Sequence, residues 1–162
     1  MKTTAFASLV LAVGTFGLAA CEQQVKDDEP AQPVPDAKPG VSVSNARLVL
    51  PTVPGNPGAL YFDILNTADD PAELRTIEVQ GAGAAMMHDS IMQAGKMTMQ
   101  ATGPLSLAKG QQVSFAPGGK HVMVMQIDPA LKSPGRTEVT MTFAGGDKIS
   151  VEAAIEPPGA TR

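Results

Sequence analysis

The chain has 162 residues, carries 12 Lys and Arg against 16 Asp and Glu, and has a net charge of −4 with only 17% charged residues. No basic stripe offers itself to nucleic acid, and an aromatic content of 4% without Trp leaves no platform for stacking bases or sugars. The length suits one domain once processing segments are set aside, and 16 Gly with 14 Pro point to a turn-rich β chain rather than a helix bundle.

Residues 1–20, MKTTAFASLVLAVGTFGLAA, read as a secretory signal: Lys2 at the positive end, an apolar run, then small residues. The run is too short and too rich in Gly and Ala for a spanning helix. Leu18-Ala19-Ala20-Cys21 has the form of a bacterial lipobox, in which the Cys becomes the acylated first residue of the mature protein. Acyl chains on Cys21 would hold the protein on a membrane surface without a spanning segment. Glu22 in place of an Asp favours the outer membrane of a periplasmic compartment. The alternative is a soluble exported protein cleaved nearby. Residues 22–42 contain five acids, two lysines and four prolines with hardly any apolar material. Together with Cys21 they are expected to form a disordered tether over 21–42.

From residue 43 the pattern changes to short apolar runs between turn residues, and the folded domain is expected over 43–158, with a short tail at 159–162. Strand-like segments are 46–50, 59–65, 73–79, 111–116, 121–127, 137–143 and 148–155. Such spacing suggests an all-β antiparallel sandwich or Greek-key barrel. No three-turn amphipathic helix, internal repeat or phosphate-binding Gly loop is visible.

The one cysteine, Cys21, lies outside this domain. A disulfide framework and a Cys-rich zinc site are therefore excluded. So is a blue-copper electron-transfer centre, which needs a thiolate. What remains is unusual: residues 86–125 hold seven of the nine methionines and both histidines. Thioether is a soft ligand and imidazole a borderline one, a set that suits copper(I). Strand alternation puts His121, Met123 and Met125 on one face of 121–125, and Val122 and Val124 on the other. Met86 and His88 share a face if that piece is extended, as do Met97 and Met99, with the intervening DSIMQAG read as a loop. Taken singly, each Met reads as core packing and each His as a hydrogen-bonded boundary residue. Met125 and Met141 are assigned to the core on that ground.

The combination is more specific. His88, ten residues, Met99, twenty-one residues, then His121-Val122-Met123 resembles the motif of the periplasmic copper chaperones of the PCuAC type. Finding Met by chance at two prescribed positions, with nine Met in 162 residues, has odds of about one in 300. The segments GALYFDILNTADDPAEL (58–74) and LAKGQQVSFAPGGKHVMVM (107–125) are also similar to that family. Lys120 departs from it, since members often carry an aromatic residue there. No His/Met-rich tail like that of some members precedes Arg162, so a second copper site on a tail is not expected.

The resemblance implies a cupredoxin-like Greek-key β-sandwich holding Cu(I) through His88, Met99, His121 and Met123. Met97 is the nearest stand-in for Met99. Met86, Met87, Met92 and Met97 form either a soft rim that guides copper or docks a partner, or simply a hydrophobic edge. The implied role is a monomeric copper(I) carrier that serves an exported or membrane protein. By resemblance the recipient is a cytochrome oxidase copper centre, reached directly or through a thiol-bearing assembly factor. The alternative is a metal-independent β-sandwich lipoprotein that binds a protein partner through its Met-rich edge. An enzyme is the weakest reading, because no Ser-His-Asp or Cys-His set is present.

Overall fold

The computed structural model of the protein describes residues 38–160. These fold into ten strands and no helix: β1 (Val41–Val49), β2 (Gly58–Asn66), β3 (Ala72–Val79), β4 (Ala82–Gln93) and β5 (Lys96–Ala101), then β6 (Leu105–Leu107), β7 (Gln112–Phe115), β8 (His121–Ile127), β9 (Gly135–Phe143) and β10 (Lys148–Glu156). The strands pair in the order β5-β4-β8-β2-β1-β10-β9-β3-β6, with β7 also paired to β2. Every pairing is antiparallel except that of β1 with β10, where the first and last strands run side by side. The expected signal at 1–20, the expected anchor at Cys21, the expected tether up to residue 37 and the last two residues of the expected tail lie outside the described residues.

Alternation decides which way each strand faces. In β2, Leu60, Phe62 and Ile64 are buried while Ala59, Tyr61 and Asp63 reach the outer surface. In β8, Val122 and Val124 are fully buried beside His121 and Met123, which stay partly exposed. The buried cluster draws on both halves of the strand order, with Leu60, Phe62, Val122 and Val124 from one and Leu74, Val139, Met141 and Phe143 from the other. The sheet therefore closes over itself as a sandwich with one core. Phe62 and Phe115 stack there with ring centres 4.3 Å apart.

Asn66 is fully buried although its side chain is polar. Its amide nitrogen donates to the carbonyls of Asp70 (3.0 Å) and Leu107 (2.9 Å), and its side-chain oxygen accepts from the Ala68 N–H (3.0 Å). Every polar atom of the side chain is thus paired, which is the condition for burying an amide without loss. It ties the 67–71 turn to the 107–111 loop.

Three expectations are corrected. Residues 38–42, placed in the tether by composition, belong to the domain: Lys38 pairs with Asp147 at 2.8 Å, the Thr67 N–H donates to the Gly40 carbonyl, and Val41 and Ser42 pair with Asn66 and Leu65. Backbone pairing with β2 outweighs the polar sequence. The DSIMQAG segment is a hairpin rather than a loop, closed by Ala94 (φ 49°) and Gly95 (φ 77°) between the paired Gln93 and Lys96. Two positive φ values form the two-residue turn whose twist matches the flanking strands. Met125 is not in the core. It shares the outer face with His121 and Met123 and is only half-buried, whereas Met87 points inward and joins the core. Met141 is buried as expected.

Candidate metal centre

Three strands build the candidate site, and register fixes its geometry. Across β4 and β8, His88 lies opposite His121 and Met86 opposite Met123. Across β4 and β5, Ser90 lies opposite Met99 and Met92 opposite Met97. Neither ladder contains a bulge between these rungs, so all of these side chains leave the same outer face. His88 is the hub. It faces His121 directly and is the diagonal neighbour of Met99 on one side and Met123 on the other, a relation long side chains span. The four residues expected to act together are therefore brought together, and Met86 and Met97 share their face. Met87 does not, because its odd position in β4 turns it inward.

The two imidazole rings have centres 5.9 Å apart, inclined by 36°. A metal–imidazole bond of about 2 Å places two ring centres sharing one ion roughly 5–6.5 Å apart, so the observed spacing suits one shared ion. His121 Nδ1 lies 3.0 Å from the Gly119 carbonyl oxygen. In the tautomer that donates this bond, Nε2 is left as the free lone pair. The same carbonyl accepts the Ser90 N–H at 3.3 Å, so it ties the start of β8 to the middle of β4.

His88 is different. Both of its ring nitrogens are shielded from solvent and neither has a hydrogen-bond partner. A buried polar atom without a partner costs about 1–3 kcal/mol. A soft cation held between the rings would engage one of these nitrogens. Among the described residues, no three of His, Cys, Asp and Glu converge. The thioethers of Met99 and Met123 are the soft donors that share the outer face with the two rings.

Beside the rings a cavity of about 530 Å³ opens, lined by His121, Met123, Met99, Ser90, Tyr61 and the Asn56-Pro57 turn. Arg47 stacks on the Tyr61 ring at 4.7 Å while pairing with Glu156 at 3.2 Å, and so braces that wall. Sequence reasoning missed this wall. The odd positions of β2 already marked Tyr61 as outward-facing, but the pairing of β2 with β8 that carries it to the site has no local signal. Lys120, where members of the resembled family often carry an aromatic residue, pairs with Asp89 on the opposite face of the β4–β8 ladder. It secures the strands and leaves the site face alone.

The sequence profile of the family described as "Putative lipoprotein LpqE-like" matches residues 41–155. The chain belongs to this family. A curated relative from Leifsonia xyli subsp. xyli, a lipoprotein by its name (Lxx21020), is 26% identical over 99 residues. The matched region is 60% of this chain and 60% of that relative, so the chain spans about three fifths of its length. Among solved structures, the copper-bound PCuAC domain from PmoF2 superimposes with a TM-score of 0.61 at 23% identity, covering 74% of this chain and 94% of that one. The copper(I) form of DR1885 from Deinococcus radiodurans gives 0.51 at 23% identity, covering 78% and 81%. The LpqE-like chain thus has the PCuAC-type, cupredoxin-like β fold expected from its motif.

Proposed function

We propose that this LpqE-like protein carries copper(I) as cargo, held by His88, Met99, His121 and Met123. The observation that carries the reading is the His88 ring: half-buried, with both nitrogens shielded from solvent and without a partner, and facing His121 across one rung. The chemistry follows from the donors. Two neutral imidazoles and two thioethers satisfy a closed-shell soft ion that makes little geometric demand. Thioethers disfavour zinc, which prefers thiolate, imidazole and carboxylate. They also resist the disulfide exchange that thiols undergo in an oxidising compartment. Acid weakens such binding only through the two histidines. The open cavity beside His121 lets a recipient's ligands replace these donors one at a time.

The copper-bound relatives of like fold support this reading, and the lipoprotein family supports a lipid anchor at Cys21 in a periplasm-type compartment. The recipient we infer is an exported or membrane copper protein, with cytochrome oxidase assembly as the role. The test is a competition titration against a colorimetric copper(I) chelator under anaerobic, reducing conditions. One tightly held ion, lost in a His88→Ala/His121→Ala variant, is the expected result. Weak uptake indifferent to both histidines would overturn it, and the Met-rich edge would then be a protein-docking surface.

A further inference from the structure

One part of the site face has no role in that ion. Met92 and Met97 lie directly opposite each other at the tip of the β4–β5 hairpin, 66% and 51% exposed. Neither belongs to the core cluster, so packing does not account for them. Their neighbours Gln93, Lys96, Thr98 and Gln100 are polar, so the tip is not a broad apolar patch. Ile91 lies on the opposite face and is half-buried, so the large apolar side chains exposed on this rung are the two thioether arms.

The turn keeps them on that rung. Ala94 takes φ 49°, a conformation side-chain-bearing residues seldom adopt, and with Gly95 it sets a two-residue connection. A slip of one residue would send one of the two methionines to the other face. Directly opposed residues place their Cβ atoms about 4.5–5.5 Å apart, and methionine's three rotatable bonds then let both sulfurs meet one ion.

Below this rung is Ser90–Met99, with Met99 60% exposed, and below that the His88–His121 rung. At about 3.4 Å per residue, successive rungs on one face stand about 7 Å apart. Soft donors therefore run stepwise from the exposed tip to the imidazole pair.

We propose that Met92 and Met97 form a second, weaker site for a soft closed-shell monovalent cation, at which copper(I) stops on its way to or from the histidine site. The inference rests on the copper(I) reading above for its cargo, and on the hairpin alone for its ligands. With two neutral thioethers and no imidazole, this site releases its ion more readily than the inner one.

The test uses the protein with 13C-labelled methionine methyl groups and silver(I) as a redox-inert probe. In the wild type, the first equivalent should shift the Met99 and Met123 methyls and the histidine rings. Further silver should then shift Met92 and Met97. Met92→Leu/Met97→Leu should lose only the second event, since exposed Leu keeps the bulk and removes the sulfur. His88→Ala/His121→Ala should lose the first event and keep the second. Methyls of Met92 and Met97 that stay unmoved in excess silver would overturn the second site. So would methyls that move only with the first equivalent and fall silent in the histidine variant, since they would then belong to one common site. A wild type in which the histidine rings and Met123 do not respond would instead overturn the inner site, leaving the hairpin result to stand by itself.

Discussion

The protein uses methionine in two opposite ways. In β9, Met141 is fully buried between Val139 and Phe143 and acts as a core filler. In β5, where all six residues are exposed, Met99 stands 60% open and Met97 51% open. The residue type is the same, but one side chain lowers free energy by leaving water and the other gives up that gain. The half of the sandwich around β9 is built for stability, and the β4–β5–β8 edge presents donor atoms. A surface that keeps oily side chains in water needs a use for the sulfur.

That contrast can be broken most strongly from the core. Met141→Ala should destabilise the fold by about 2–5 kcal/mol, the usual cost of truncating a buried Met. Chemical denaturation would measure it, and copper(I) affinity measured well below the melting transition should stay near that of the wild type. His88→Phe tests the edge with the reverse sign. Removing two buried, unpartnered nitrogens should stabilise the metal-free protein by about 1 kcal/mol, read as a melting temperature raised by a few degrees, while copper(I) binding is lost. A lowered melting temperature would mean that the imidazole is satisfied without metal. Met99→Leu should change stability by less than about 0.5 kcal/mol, as exposed substitutions do. It should still weaken copper(I) binding in the chelator competition, since Leu offers no donor atom.

The smallest effect lies on neither side of the contrast. Asp63, on the outer face of β2, accepts hydrogen bonds from the Ser114 hydroxyl at 2.5 Å and the Asn45 amide at 2.7 Å. The Ser114 bond first, then the Asn45 bond, hold its carboxyl below the ordinary value of 3.8, against a smaller raising effect of burial. A carboxyl depressed in the folded state contributes stability that is present above its unfolded value and is lost as pH falls through its folded value. Asp63→Asn should therefore flatten the decline of stability below about pH 4 and leave the neutral-pH slope unchanged. Acid denaturation profiles of the two proteins would show it.

The site was more legible in the sequence than the strands that carry it. The ten residues between His88 and Met99 read as a linear motif, yet their meaning is a hairpin: with a two-residue turn, that spacing puts both side chains on one face. The same strands escaped pattern reading for a physical reason. β4 carries Ala and Met outward and Met87 inward, so polarity does not alternate along it, and β5 is exposed on both faces, so its Met97 and Met99 side marks no core. β6 is three residues long, below the length at which periodicity can register. The β8 alternation was legible because Val122 and Val124 are core and their neighbours are not. Met125 was misassigned because β8 has no mark for where its neighbour β4 keeps the outer face open. The beginning of β1 was hidden by the polar composition before it, although Val41 and Val43 already alternate with Ser42 and Ser44.

The Gly119 carbonyl sets the direction of the His121 ring and holds β4 against the start of β8, and any residue has a carbonyl. A Cβ added at Gly119 would meet only the Ala116 carbonyl oxygen, at 3.8 Å, and the position has no left-handed φ that demands glycine. A saturation scan of substitutions should find Gly119 permissive except to proline, which would lose the N–H donated to the Ala116 carbonyl, while His121 is not. The aim of a ligand is thus stored in the path of the main chain, where no change of letter reveals it.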